Sequence, residues 1–100
     1  MTSDVAILIV TYNSERQIEA CLRSVEDQRR TVRQQVIVVD NASTDGTVAL
    51  IREKFPAVTL VTPGLNLGFA KGVNLAARHA DAEYLLLLNP DTEILDHAVD

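Results

Sequence analysis

"QVIVVDNASTDGTVALIREKF", residues 35–55, is the stretch whose reading decides the fold. An apolar run rich in β-branched residues stops at Asp40. Seven residues from Asp40 to Gly46 then read Asp-Asn-Ala-Ser-Thr-Asp-Gly, and an amphipathic segment follows. An apolar run that does not alternate with polar residues suits a strand covered on both faces, as in a parallel sheet. In the segment 44–55, Val48, Ile51 and Phe55 share one side of a helix, and Pro56 marks its stop. Strand, polar loop and helix in immediate succession make the first two parts of a βαβ crossover.

Working outward, the same succession repeats. "VAILIV" (5–10), "VTLV" (58–61) and "YLLLL" (84–88) read as further strands, the leucine run by its length and position rather than by propensity. The segment 14–28 places Ile18, Cys21, Leu22 and Val25 at helical spacing, with Ser14 as N-cap. The alanine-rich segment 68–80 is read as a helix with Phe69, Val73 and Ala77 on one side. Strands alternating with helices imply right-handed crossovers, and the fold class is α/β, a mostly parallel sheet with flanking helices.

Each strand also ends alike. Thr11-Tyr12-Asn13 follows the first, Asp40-Asn41 and the loop to Gly46 the second, "TPGLNLGF" the third, and Asn89-Pro90-Asp91-Thr92-Glu93 the fourth. In a parallel sheet these ends lie on one edge, where open α/β sheets bind ligands. Residues spread over eighty positions would converge on one crevice.

Each cluster also has a plainer reading. Asp40, Asn41 and "STDGT" suit a strand-to-helix turn that Gly46 relaxes, although a carboxylate at the sheet edge would also accept hydrogen bonds from a nucleobase imide or a ribose hydroxyl. Tyr12 would pack, or lay its ring against a base. Gly64, Gly68 and Gly72 would serve local backbone needs, and no G-x-G-x-x-G opens the first helix, which weighs against a dinucleotide site. Asn89-Pro90-Asp91 would turn the chain into a following helix over "TEILDHAVD", or Asp91 would give a hard oxygen to Mg2+ or Mn2+ whose other positions water and a diphosphate fill.

Composition narrows the partners. The chain has 100 residues, 47% of them hydrophobic, enough for one small domain with a real core. Nine Lys and Arg against fourteen Asp and Glu give a net charge of −5, the wrong sign for nucleic acid, so a phosphorylated ligand would need a cation as mediator. The single cysteine, Cys21, forms no intramolecular disulfide and reads as a small buried hydrophobe. His79 at a helix end and His97 in the last segment have no Cys or His partner at metal-ligand spacing. No apolar run approaches the roughly 20 residues of a membrane span, and the N-terminus lacks the marks of a signal peptide. The expectation is a cytoplasmic protein, with contact at the inner face of a membrane left open.

"VTYN" (10–13), "VVDNASTDGT" (38–47), "NLGFAKGVN" (66–74) and "LLLNPDTE" (86–93), in this order and spacing, resemble glycosyltransferase family 2, and most closely its rhamnosyltransferase-like members. The resemblance covers essentially the whole chain. It implies a Rossmann-like nucleotide-binding half of a GT-A fold, with residues 1–100 as the N-terminal, donor-binding part and the acceptor half absent. It further implies transfer of a sugar with inversion from a nucleoside-diphosphate sugar, UDP- or dTDP-linked, to a glycan or lipid-linked acceptor hydroxyl. Carried over by position, Thr11, Tyr12, Asn13 and Asp40 would border the base and ribose. Asn41 and Asp45 would support that loop, and Asn66, Gly68 and Asn74 would lie near the diphosphate or sugar. Asp91 would bind Mg2+ or Mn2+, with Asn89 standing where the family has the first acid of Asp-x-Asp. The catalytic base is expected beyond Asp100, the isolated piece is expected to be inactive, and self-association through its uncovered surface is expected. A non-catalytic nucleotide-binding module and a metal-dependent nucleotidyltransferase remain open, the second disfavoured by the lack of a basic Gly-rich loop after the first strand.

Overall fold

The structure is a computed structural model that describes residues 3–27 and 33–91. Strand β1 (Ser3–Thr11) leads to helix α1 (Glu15–Asp27), β2 (Gln34–Asp40), α2 (Thr47–Lys54), β3 (Thr59–Val61), α3 (Phe69–Arg78) and β4 (Ala82–Leu88). The four strands form one sheet in the order β3-β2-β1-β4, with every neighbouring pair parallel. The α/β expectation holds, and strand boundaries fall within two residues of those read from the sequence.

Register explains how the core divides. Ile7 pairs with Val36 and Leu86, and Ile9 with Val38 and Leu88, so these residues share one face of the sheet. That face packs on Ile18, Cys21, Leu22 and Val25 of α1, on Ile51 of α2 and on Phe55. Ala6, Leu8, Ile37 and Val39 point the other way onto Ala76 of α3. Burying one such Ile, Leu or Phe side chain contributes about 1.5–3 kcal/mol, so β1 and β2, buried on both faces, anchor the fold. Cys21 is fully buried in the first layer, as its reading as a small hydrophobe required.

Three expectations about packing need correction. β4 is not covered on both faces, because α3 lies over β1 and β2; Leu85 and Leu87 stay 55% and 42% exposed, and Tyr84 on the opposite face 69%. The inner side of α3 is centred on Gly72 and Ala76 rather than on Phe69, which is exposed. A Cβ at Gly72 would stand 3.0 Å from Val10 Cγ1, so glycine lets this helix approach the sheet. Third, Gly46 has an ordinary φ of −83°, and what it supplies is space beside the Glu15 carboxylate. Among the described residues the positive φ values belong to Gly64, Gly68, Asn13 and Ala42.

Among the described residues no helix is long and apolar enough to cross a membrane. Thr92, Glu93, His97 and the expected helix over 92–100 lie outside the described residues.

Candidate functional site

The strand order reverses direction between β1 and β4: the chain builds outward from β1 through β2 to β3, then returns to β1's other side. At such a switch point the loops leaving adjacent strands part, which opens a crevice beyond their C-terminal ends. An open cleft of about 330 Å³ lies there, lined by Tyr12, Asn13, Ser14 and Gln17 on one side and by Asn89, Pro90 and Asp91 on the other. A second hollow, of about 270 Å³, includes Ser3, Gln34 and Asp81 among apolar residues at the opposite edge of the sheet and holds none of the residues put forward from the sequence.

The ends of β1 and β2 are tied together by side chains. Thr11 and Asp40 are register partners, and the Thr11 hydroxyl donates to Asp40 Oδ1 at 2.6 Å. Ser43 donates to the same oxygen through its hydroxyl at 2.6 Å and to Oδ2 through its backbone N–H at 2.9 Å. The carboxylate is thus held by three internal donors, and Asp40 is 2% exposed. In this arrangement it closes the loop, and a base or ribose could reach it only if the loop yielded.

Asn13 extends the network. It adopts φ 49°, a left-handed conformation that Asn tolerates better than most residues, and there its Oδ1 accepts the N–H of Thr44 at 2.8 Å and of Asp45 at 3.3 Å. Its own N–H donates to Ser43 Oγ at 2.8 Å. Asp45 in turn accepts the N–H of Glu15 at 3.2 Å and both the N–H and the hydroxyl of Thr47. Desolvation pushes the Asp45 carboxyl up, but the hydrogen bonds from Thr47 and Glu15 outweigh it and hold the group below the usual carboxylate range. Ser14 holds the cap position of α1, its carbonyl accepting the N–H groups of Gln17 and Ile18, but its hydroxyl bonds the backbone of Tyr12 instead of the helix, and Asp45 accepts the N–H of Glu15.

A further staple runs to the α3 loop. Asn41 donates through Nδ2 to Gly68 O at 3.0 Å and accepts Leu67 N–H at 3.1 Å, while Asn66 Oδ1 accepts Gly68 N–H at 2.8 Å. Gly68, at φ 81°, is the turn residue that delivers the chain into α3. Thr11, Asn13, Asp40, Asn41, Asp45, Asn66 and Gly68 therefore form one connected edge. Asn74 does not join it; with Lys71 and Arg78 it lines a separate hollow of about 300 Å³.

The β4 side differs. The side chains of Asn89 and Asp91 make no hydrogen bond or ion pair with any described residue, and both residues are exposed beside the cleft. Tyr12, 53% exposed, faces the same cleft. Among the described residues no three acidic, His or Cys side chains gather as a metal site. Asp91 instead offers one unengaged carboxylate, with the Asn89 amide two residues away. One or two such oxygens, completed by phosphate oxygens and water, are what Mg2+ commonly accepts, so the donor set fits a cation carried with a phosphorylated ligand. Reading the sequence placed Ser43 only within a strand-to-helix turn and gave no role to Gln17. Ser43, three residues after Asp40, carries the signature of a side-chain-bonded turn, whereas Gln17 reads as one more polar residue on an outer helical face.

Comparison with known proteins places this architecture. Residues 6–99 match the family described as glycosyl transferase family 2. The N-acetylglucosaminyl-diphospho-decaprenol L-rhamnosyltransferase of Mycobacterium tuberculosis is 31% identical over 105 residues, a match covering 93% of this chain and 34% of the relative. The mannosyltransferase of Pyrobaculum calidifontis, solved in complex with GDP-Man and Mn2+, superposes with a TM-score of 0.85 at 33% identity, covering 97% of this chain and 30% of that one. Staphylococcus aureus TarS in complex with UDP gives a TM-score of 0.78 at 28% identity, over 88% and 27%. The chain spans about a third of the length of the rhamnosyltransferase, and 19% of a similar glycosyltransferase from Bacillus subtilis.

Proposed function

The chain belongs to glycosyl transferase family 2, and on that premise we propose that it is the donor-binding part of an enzyme that transfers a sugar from a nucleoside-diphosphate sugar to an acceptor hydroxyl with inversion. The observation that carries this reading is the cleft at the β1/β4 switch point, where the side chains of Asp91 and Asn89 bond no described residue and stand opposite Tyr12. The rhamnosyltransferase relative supports sugar transfer, the solved neighbours with UDP or GDP-Man support a nucleotide-sugar donor, and the Mn2+ of one neighbour supports a divalent cation.

In this proposal Tyr12 offers its exposed ring to the base, and the network from Thr11 to Asp45 holds the β1 and β2 loops in the shape that receives the nucleotide. Because Asp40 is spent inside that network, its part is to fix the loop, with direct base contact reserved for a rearranged, ligand-bound form. Gly68, stapled to Asn41, brings the start of α3 to the same edge. Asp91 and Asn89 would hold Mg2+ or Mn2+. When bound, the cation would supply charge neutralisation for the departing nucleoside diphosphate. The negative chain would thereby accept an anionic donor. Acceptor deprotonation would fall to a carboxylate outside these residues, acting from the face opposite the leaving group, and a cytoplasmic location would give access to nucleotide sugars.

The test is calorimetric titration of the protein with UDP, dTDP and GDP, with and without Mn2+, on the native chain and on Asp91→Asn. Metal-dependent binding of one nucleotide, weakened at least tenfold in Asp91→Asn, is the expected result. Equal binding by both proteins would remove Asp91 from the site. Release of pyrophosphate rather than a nucleoside diphosphate during turnover would identify nucleotidyl transfer instead.

A further inference from the structure

On the α1 side of the cleft, two polar side chains already serve the chain itself. Asn13 has its carbonyl oxygen filled by the Thr44 and Asp45 N–H groups, and the Ser14 hydroxyl exchanges hydrogen bonds with the Tyr12 backbone. Gln17 carries a carboxamide that is not engaged in this way. It stands in the first turn of α1, is exposed, lines the cleft across from Asn89, Pro90 and Asp91, and its side chain bonds no described residue.

We propose that Gln17 is a ligand-contacting residue of this cleft, its carboxamide donating to the phosphate oxygens of the nucleoside diphosphate. The inference rests on the nucleotide reading above and adds to it a residue from the opposite wall. The chemistry of the cleft favours an amide there. Among the described residues that line it none is a Lys or Arg, and Asp91 is the charged one. A diphosphate drawn in by a cation at Asp91 therefore leaves its remaining oxygens in want of neutral donors. Gln Nε2 carries two N–H groups and no charge, so it binds such an oxygen without repelling the cation. The position strengthens this. Gln17 lies in the first turn of a 13-residue helix, the end whose partial positive charge favours anions. Glu15, in the same turn, does not oppose it at close range, because its Oε1 is bonded to Gly46 N–H on the α2 side.

The experiment uses Gln17→Met, which keeps the length and helix propensity of the side chain and removes both donors. With Mn2+ present, UDP and GDP are titrated into the full-length protein, native and variant, alongside uridine and guanosine. A hydrogen bond to a charged group is worth roughly tenfold or more in affinity, so Gln17→Met should weaken the nucleoside diphosphate by about that factor and leave the matching nucleoside unchanged. Native-like diphosphate binding by Gln17→Met, when Asp91→Asn has lost it, overturns the inference and leaves the donor site standing. Equal weakening of diphosphate and nucleoside also overturns it, since Gln17 would then shape the cleft without reading phosphate. Failure of the native protein to bind any nucleotide with Mn2+ removes the nucleotide reading itself, and the role of Gln17 with it.

Discussion

The loop that leaves β2 and the loop that leaves β4 are written in the same residues, Asn, Asp, Thr and a turn former, and they do opposite things. After β2, nearly every polar atom finds another within the chain: Asp40 takes three donors, Asn41 bridges to Leu67 and Gly68, and Asp45 serves α1 and α2 at once. After β4, the side chains of Asn89 and Asp91 engage no described residue. A buried polar group without a partner is expensive, so the first loop is satisfied and structural, while the second keeps its hydrogen-bonding capacity because it is exposed to solvent at the cleft. Polarity after a strand thus marks the edge of the site, and only the partner list separates scaffold from contact.

The strongest way to break that comparison is Asp40→Ala. It strips the acceptor from the fully buried Thr11 hydroxyl and from two donors of Ser43, and leaving such groups unpaired should cost about 2–4 kcal/mol in urea unfolding. A loss within about 0.5 kcal/mol, the range of ordinary surface substitutions, would mean that the network is not structural and that the two loops are alike after all. Asn13→Ala comes next. It forfeits an acceptor shared by two N–H groups and places alanine at φ 49°, so about 1–2 kcal/mol of stability should be lost.

How much of this was legible can be argued residue by residue. The sheet could be read because β1 and β2 carry unbroken apolar runs, 5–10 and 36–39, and burial on both faces demands that. β4 looked the same in sequence, yet Leu85 and Leu87 are uncovered, because which strand a helix crosses is a matter of topology and not of the strand's own residues. Tyr12, Asn13, Asn89 and Asp91 were placed on one edge by the parallel-strand argument, and they do share a cleft. The local bonds of Ser43 to Asp40 and of Asp45 to Thr47 suit the turn that was read there, but their ties to Asn13 and Glu15 were hidden, since a bond across thirty or so positions has no local signature. Gly46 and the Ser14 hydroxyl differ from their reading for the converse reason: their types suit a turn and a cap, but a distant Glu15 carboxylate sets the space at one and the Tyr12 backbone takes the other, although Ser14 keeps the cap position.

Ala42→Gly sharpens the comparison from the scaffold side, with the sign reversed. Ala42 sits at φ 61°, where a Cβ is penalised by about 1–2 kcal/mol, while glycine carries an extra unfolded-state entropy of about 0.5–1 kcal/mol. The net gain should be about 0.5–1 kcal/mol, read as a higher urea midpoint at an unchanged denaturant slope. A loss instead would show that the loop's hydrogen bonds, rather than glycine-like freedom, already hold this conformation without strain.

The smallest expected change in stability is the most informative about function. Asp91→Asn removes a charge that bonds nothing among the described residues, so the unfolding free energy should move by no more than about 0.5 kcal/mol. The same substitution should abolish the Mn2+-dependent part of nucleotide stabilisation, which at a hundredfold excess of ligand over Kd amounts to about 2.7 kcal/mol. A scaffold residue cannot give that pair of results, because damage to the fold would appear in the ligand-free protein first. If Asp91→Asn instead destabilised the free protein as Asp40→Ala should, Asp91 would hold the chain end after β4 in place, and the contrast between the two loops would have to be withdrawn.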